Sequence, residues 1–83
     1  MFVLDSSSSV SLVQQIVDGF GHLVDEGTLR SGAKLPSIRQ FAHAHGVSVY
    51  TVVDAYDRLV AQGYFVSRPH LWFFVRRRRQ DDE

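Results

Sequence analysis

Eighty-three residues, 45% of them apolar, with no cysteine and nine basic side chains against nine acidic ones, describe one small folded domain. They exclude a second core, disulfides and thiolate metal sites, and they lean toward a reducing compartment. No basic segment followed by an apolar run opens the chain and no apolar stretch reaches 18 residues, so the expectation is a cytoplasmic protein with no membrane association.

Residues 1–9 place Phe2, Val3 and Leu4 before four serines, which reads as a flexible lead-in with at most a short strand. Ser8 or Ser9 is expected to cap a first helix from Val10 to about Glu26. Its apolar residues Leu12, Val13, Ile16, Val17, Phe20, Leu23 and Val24 follow the helical period. Gly19 and Gly21 interrupt it at roughly 1 kcal/mol each, so close packing or a bend should compensate. Gly27 supplies a stop. The connection Thr28–Leu35 contains Gly32 and can pair briefly as a strand near Lys34 and Leu35.

Pro36 precedes Ser37, and Ser37 with Gln40 forms a capping box that starts a second helix. Ile38, Phe41 and Ala42 share one face. Gly46 marks a sharp turn, Val47 plugs the corner and Ser48 caps a third helix running to Gln62. Val52, Ala55, Tyr56 and Leu59 face inward, leaving Val49, Tyr50 and Thr51 outward at the N-terminal end. Gly63 ends that helix. Tyr64-Phe65-Val66 and Trp72-Phe73-Phe74-Val75 are strand-forming runs on either side of Ser67 to Leu71, with Pro69 in the turn. Alternate members of Trp72 to Val75 should fill the core.

The order helix, helix, helix, hairpin predicts a mainly α fold with a small β-hairpin, a winged helix-turn-helix of three helices plus a wing. It occupies residues 10–76, between the lead-in and a charged tail or linker start at 77–83. A helix-turn-helix points to DNA. The net charge of zero is a poor match for that function, because phosphate neutralisation supplies most non-specific affinity. The charge is polarised, however: Asp81, Asp82 and Glu83 end the chain, and Arg76 to Arg79 hold four of the nine positive charges.

Gly27-Thr28-Leu29 with Gly32, Leu35-Pro36-Ser37-Ile38-Arg39, Gly46-Val47-Ser48, Thr51-Val52, Ala55-Tyr56 with Leu59, Gly63-Tyr64 and Phe73-Phe74-Val75 together resemble the N-terminal domain of the GntR family of bacterial transcription regulators. The Thr51-Val52-Val53-Asp54-Ala55-Tyr56 wording is most similar to the MocR branch, in which this domain precedes a large aminotransferase-like domain. No such domain is in this sequence, so the chain is expected to be a fragment or a reduced member without the effector-binding domain. The resemblance implies transcription regulation by sequence-specific binding of a double-stranded DNA operator, with the third helix in the major groove and no enzymatic activity. It leaves a homodimer open, since relatives dimerise largely through the absent domain.

As the resemblance implies, Arg39 reaches the operator from the start of the second helix, and Ser48 and Thr51 contact phosphates and bases. Ser37 and Tyr50 join that DNA-binding set, as do Arg68 and His70 of the wing. The family usually has arginine where this chain has Val49, which removes a bidentate arginine-to-guanine contact worth about 1–3 kcal/mol. Val49 offers an apolar contact to a thymine methyl instead, favouring a more A·T-containing half-site. The wing also departs from the family, with His70, Leu71 and Trp72 in place of Gly-x-Gly, so its tip is bulkier and less free.

Each functional reading has a plainer rival. Arg39 can be a solvated or salt-bridged surface residue, Tyr50 a partly buried ring, and Arg76 to Arg79 a solvated run. His43 and His45 stand about 200° apart around a helix and cannot close on one ion, so neither metal nor cofactor is expected. No nucleophile with a neighbouring base and no phosphate-cradling glycine loop is present. Trp72, Phe73 and Phe74 could stack single-stranded bases, but core filling is the simpler role. The alternative function is a winged helix used for protein contact with weak or no DNA binding, supported by the neutral charge, Val49 and an outward Leu71 and Trp72.

Overall fold

The structure, a computed structural model, describes residues 1–77; residues 78–83 and the side chain of Leu71 fall outside the described set. Three helices, α1 (Leu12–Asp25), α2 (Ile38–His45) and α3 (Val49–Ala61), precede two strands, β1 (Phe65–Arg68) and β2 (Trp72–Val75). This is a winged helix-turn-helix, as the order of sequence signals predicts.

Local chemistry sets the helix ends. Ser11, not Ser8 or Ser9, caps α1, its hydroxyl accepting from the Gln14 amide at 3.1 Å. The serine run instead forms turns: the Ser8 hydroxyl accepts from the Val10 amide, and the Asp5 carboxylate accepts from the Ser7 amide and hydroxyl. Those two bonds hold the Asp5 carboxyl below its ordinary pKa. Both halves of the capping box at Ser37 and Gln40 are made. Gly46 turns the chain out of α2 with φ 64° and ψ 35°, a left-handed conformation that glycine adopts without a Cβ penalty. Ser48 then caps α3 through the Thr51 amide.

The lead-in forms no strand. Phe2 packs on α1 and α2, its ring 5.1 Å from Phe20 and 6.0 Å from Phe41. This explains Gly19: a Cβ there would stand 2.7 Å from the Phe2 ring. Gly21 is buried, with the Tyr64 ring 3.5 Å from where its Cβ would lie, so close packing offsets both helix-interior glycines.

Antiparallel β1 and β2 pair from Phe65 with Val75 to Arg68 with Trp72, so Ser67 and Arg68 belong to the strand and the turn is confined to Pro69–Leu71. Residues 33–35 run along the other edge of β2, bridged at Lys34 and Phe74 and bonded from the Leu35 amide to the Phe73 carbonyl at 2.9 Å. The edge that would otherwise be open is thereby paired.

Ile16, Phe20, Val52, Ala55, Tyr56 and Leu59 are fully buried where α1, α3 and the sheet meet, and Phe73 and Val75 fill the core from β2. Edge-to-face rings link the layers: Phe20 to Phe65 at 5.1 Å, Tyr56 to Phe65 at 5.2 Å and Tyr56 to Phe73 at 4.9 Å. Burial raises the Tyr56 pKa, and its hydroxyl donates to the Pro36 carbonyl at 2.8 Å, tying α3 to the segment that launches α2. Among the described residues no buried side-chain polar atom lacks a partner.

Candidate nucleic-acid interface

With its inner stripe consumed by the core, α3 presents an outward face whose first turn is Val49, Tyr50 and Thr51. Tyr50 is 85% exposed, so of its two readings the partly buried ring fails. Thr51 is half-buried and Val49 is 39% exposed. The Ser48 and Thr51 hydroxyls lie 2.9 Å apart, and the Ser48 oxygen also accepts from the Thr51 amide. One hydroxyl hydrogen satisfies the pair, leaving the other free to donate outward. The amides at the start of α3 point the same way, as helix N-terminal amides do.

Arg39 is exposed and makes no hydrogen bond or ion pair among the described residues, so the salt-bridged reading fails. It lies on the wall of a groove of about 810 Å³ between α3 and the wing, shared with Ser37, Val49, Val53, His70 and Trp72. Four of the eight sequence-predicted residues, Ser37, Arg39, Val49 and His70, therefore converge on one groove. Ser48, Tyr50 and Thr51 belong to the α3 end beside it. Arg68 instead lines a separate cavity of about 420 Å³ on the hairpin with Gly32, Arg76 and Arg77. The remainder of the arginine run, Arg78 and Arg79, lies outside the described residues.

Sequence reasoning did not single out Val53 or the pairing of Lys34 with Trp72. Val53 follows Val49 by four residues, a helical spacing that marks a shared face. Trp72 is 41% exposed, with the Lys34 ammonium 3.5 Å from its ring centroid. No sequence pattern connects those two residues, because the contact depends on the 33–35 segment lying along β2. At the wing turn His70 is left-handed, with φ 66° and ψ 26°, although it is not a glycine.

Beyond its first turn α3 is acidic. Asp54 and Asp57 are exposed, and the helix's single basic residue, Arg58, is tied to Asp54 at 3.1 Å. His45 stacks on Phe41 at 4.1 Å, whereas His43 is exposed; no cluster of three or more metal-ligating side chains exists among the described residues. Nor is any described helix long and apolar enough to cross a membrane.

A capped helix-turn-helix with an open helix start, an unpaired arginine beside it and a two-stranded wing defines a winged-helix DNA-binding domain. The chain belongs to the gntR family of bacterial regulatory proteins, whose family model matches residues 12–75. It is 37% identical over 68 residues to the probable rhizopine catabolism regulatory protein MocR of Rhizobium meliloti, covering 82% of this chain and 14% of that protein. Among solved structures it is similar to YtrA from Sulfolobus acidocaldarius, a GntR-family transcription factor, at 34% identity and TM-score 0.88, over 98% of this chain and 69% of the other. The fold is also that of the DNA-binding domain of AraR, solved in complex with operator ORR3, at 24% identity and TM-score 0.75 over 90% of each chain. The chain spans between 12% and 25% of the lengths of the curated regulators it matches.

Proposed function

We propose that this domain binds double-stranded DNA sequence-specifically to regulate transcription in the cytoplasm, with the start of α3 in the major groove. The observation that carries this reading is the meeting of three phosphate-seeking features at one end of the molecule: the unpaired Arg39 guanidinium, the Ser48–Thr51 hydroxyl pair and the α3 amides. The AraR domain, alike in fold, is held on an operator in its own structure, which supports DNA binding by a domain of this fold. Ser37 and Tyr50 flank the contact, Val49 meets base edges, and His70 and Arg68 reach phosphates from the wing. Asp54 and Asp57 repel phosphate farther along α3, so the helix enters by its tip and not along its length. Two copies on paired half-sites would grip more firmly than one.

Replacing Arg39 and Thr51 by alanine is expected to weaken binding to a selected duplex roughly tenfold or more, because a charge-assisted bond contributes about 1.5–3 kcal/mol. Unchanged affinity at moderate salt would reject this surface. The protein-contact reading draws on the apolar groove and the acidic outer helix. It requires little duplex binding even at low salt, whereas a DNA binder loses affinity steeply as salt rises.

A further inference from the structure

The outward face of α3 carries hydroxyls at Ser48, Tyr50 and Thr51 but no free side chain of the kinds that read a purine through two hydrogen bonds at once. Guanine is read by arginine or lysine, and adenine by asparagine or glutamine. Arg58, the helix's single cation, is engaged by Asp54, and the amide side chain nearest α3, that of Gln62, sits at the far end from Arg39 and Thr51. What the leading turns do offer is Val49 and Val53, four residues apart on the groove wall, with Ile38 and Trp72 extending the same apolar lining.

We propose that the Val49–Val53 strip reads the C5-methyl groups of pyrimidines in the major groove, so that the domain distinguishes thymine from uracil and accepts 5-methylcytosine better than cytosine. This rests on the DNA-binding reading above and names what its base-facing surface selects. Val49 and Val53 share the groove wall with Arg39, whose contact would seat the strip against base edges. A helix rises about 1.5 Å per residue, so the valines are separated by roughly 6 Å along the axis. With the helix entering by its tip, Val49 leads and Val53 stands one turn behind it on the same face.

The thymine methyl is the one apolar group on the major-groove edge of a base pair. Removing it from water against a valine contributes about fourfold in affinity, the equivalent of ~0.8 kcal/mol per buried CH₂. An apolar reader is indifferent to the exchange of the thymine O4 acceptor for the cytosine N4 donor, because it bonds to neither. It follows the methyl wherever the methyl is, which makes binding sensitive to cytosine methylation at the same steps.

The test starts from a duplex selected from a random pool by the unaltered domain. Each thymine is replaced in turn by deoxyuridine, and cytosine is compared with 5-methylcytosine at the same position opposite guanine. At one or two positions uracil should weaken binding about fourfold, and 5-methylcytosine should exceed cytosine by a similar factor. The Val49→Ala, Val53→Ala double variant should lose affinity for the thymine duplex and shrink the thymine-uracil difference well below fourfold, with each single variant showing the share of its own valine. Uracil duplexes that all bind as well as their thymine parents would overturn the proposal, as would a double variant that discriminates as well as the unaltered domain. Absence of any duplex binding at low salt would defeat the DNA-binding reading itself, a result distinct from binding that ignores the methyl.

Discussion

Gly46 and His70 share nearly one backbone conformation, φ 64° and 66°, at two different turns of the molecule. In the corner between α2 and α3 the left-handed residue is a glycine, followed by a serine cap and backed by the buried Phe41 and Val52. At the wing turn it is a histidine, held between Pro69 and the pairing of Arg68 with Trp72. The corner is thus relaxed in a demanding geometry, and the wing turn carries strain that its short strands must offset. Local chemistry and global shape agree at the first turn and conflict at the second.

Three substitutions probe that contrast, the largest effect first. Phe41→Ala removes a ring that is 1% exposed and should destabilise the domain by about 3–5 kcal/mol, read from urea unfolding. A loss under 1 kcal/mol would mean that the corner is not anchored by α2. Gly46→Ala adds a Cβ that meets nothing within 4 Å, so its expected loss of about 1–2 kcal/mol is purely conformational. His70→Gly should act in the opposite direction. Relief of a left-handed side chain, about 1–2 kcal/mol, outweighs glycine's extra unfolded-state entropy, about 0.4–1 kcal/mol, leaving a gain of roughly 0.5–1 kcal/mol. A higher urea midpoint with an unchanged slope would establish it, and a lower midpoint would show that His70 makes a contact that outweighs its strain.

Much of the corner was legible in the sequence because its signals are local. Ser37 with Gln40, Gly46 and Ser48 each announce a bond or dihedral within four residues, and all form as read. The start of α1 was displaced from Ser8 or Ser9 to Ser11 because several serines offer equivalent caps, and local turns use the earlier ones. The docking of Phe2 escaped because its partners are distant in the chain, although the notch at Gly19 was a visible half of that contact. At the interface the individual residues could be named, but not their grouping. Arg68 and His70, two residues apart, line different cavities: Arg68 shares one face of β1 with Val66, whereas Ser67 on the other face lines the groove with His70.

The pairing of Lys34 with Trp72 has an optical consequence. Trp72 is the chain's single tryptophan, and it lines the same groove wall as Val49 and Val53, with an ammonium group over its ring. Its emission is therefore a native reporter of that groove. Displacing Lys34 toward a phosphate, or excluding water from the ring, would change the colour and intensity of the single indole the molecule carries.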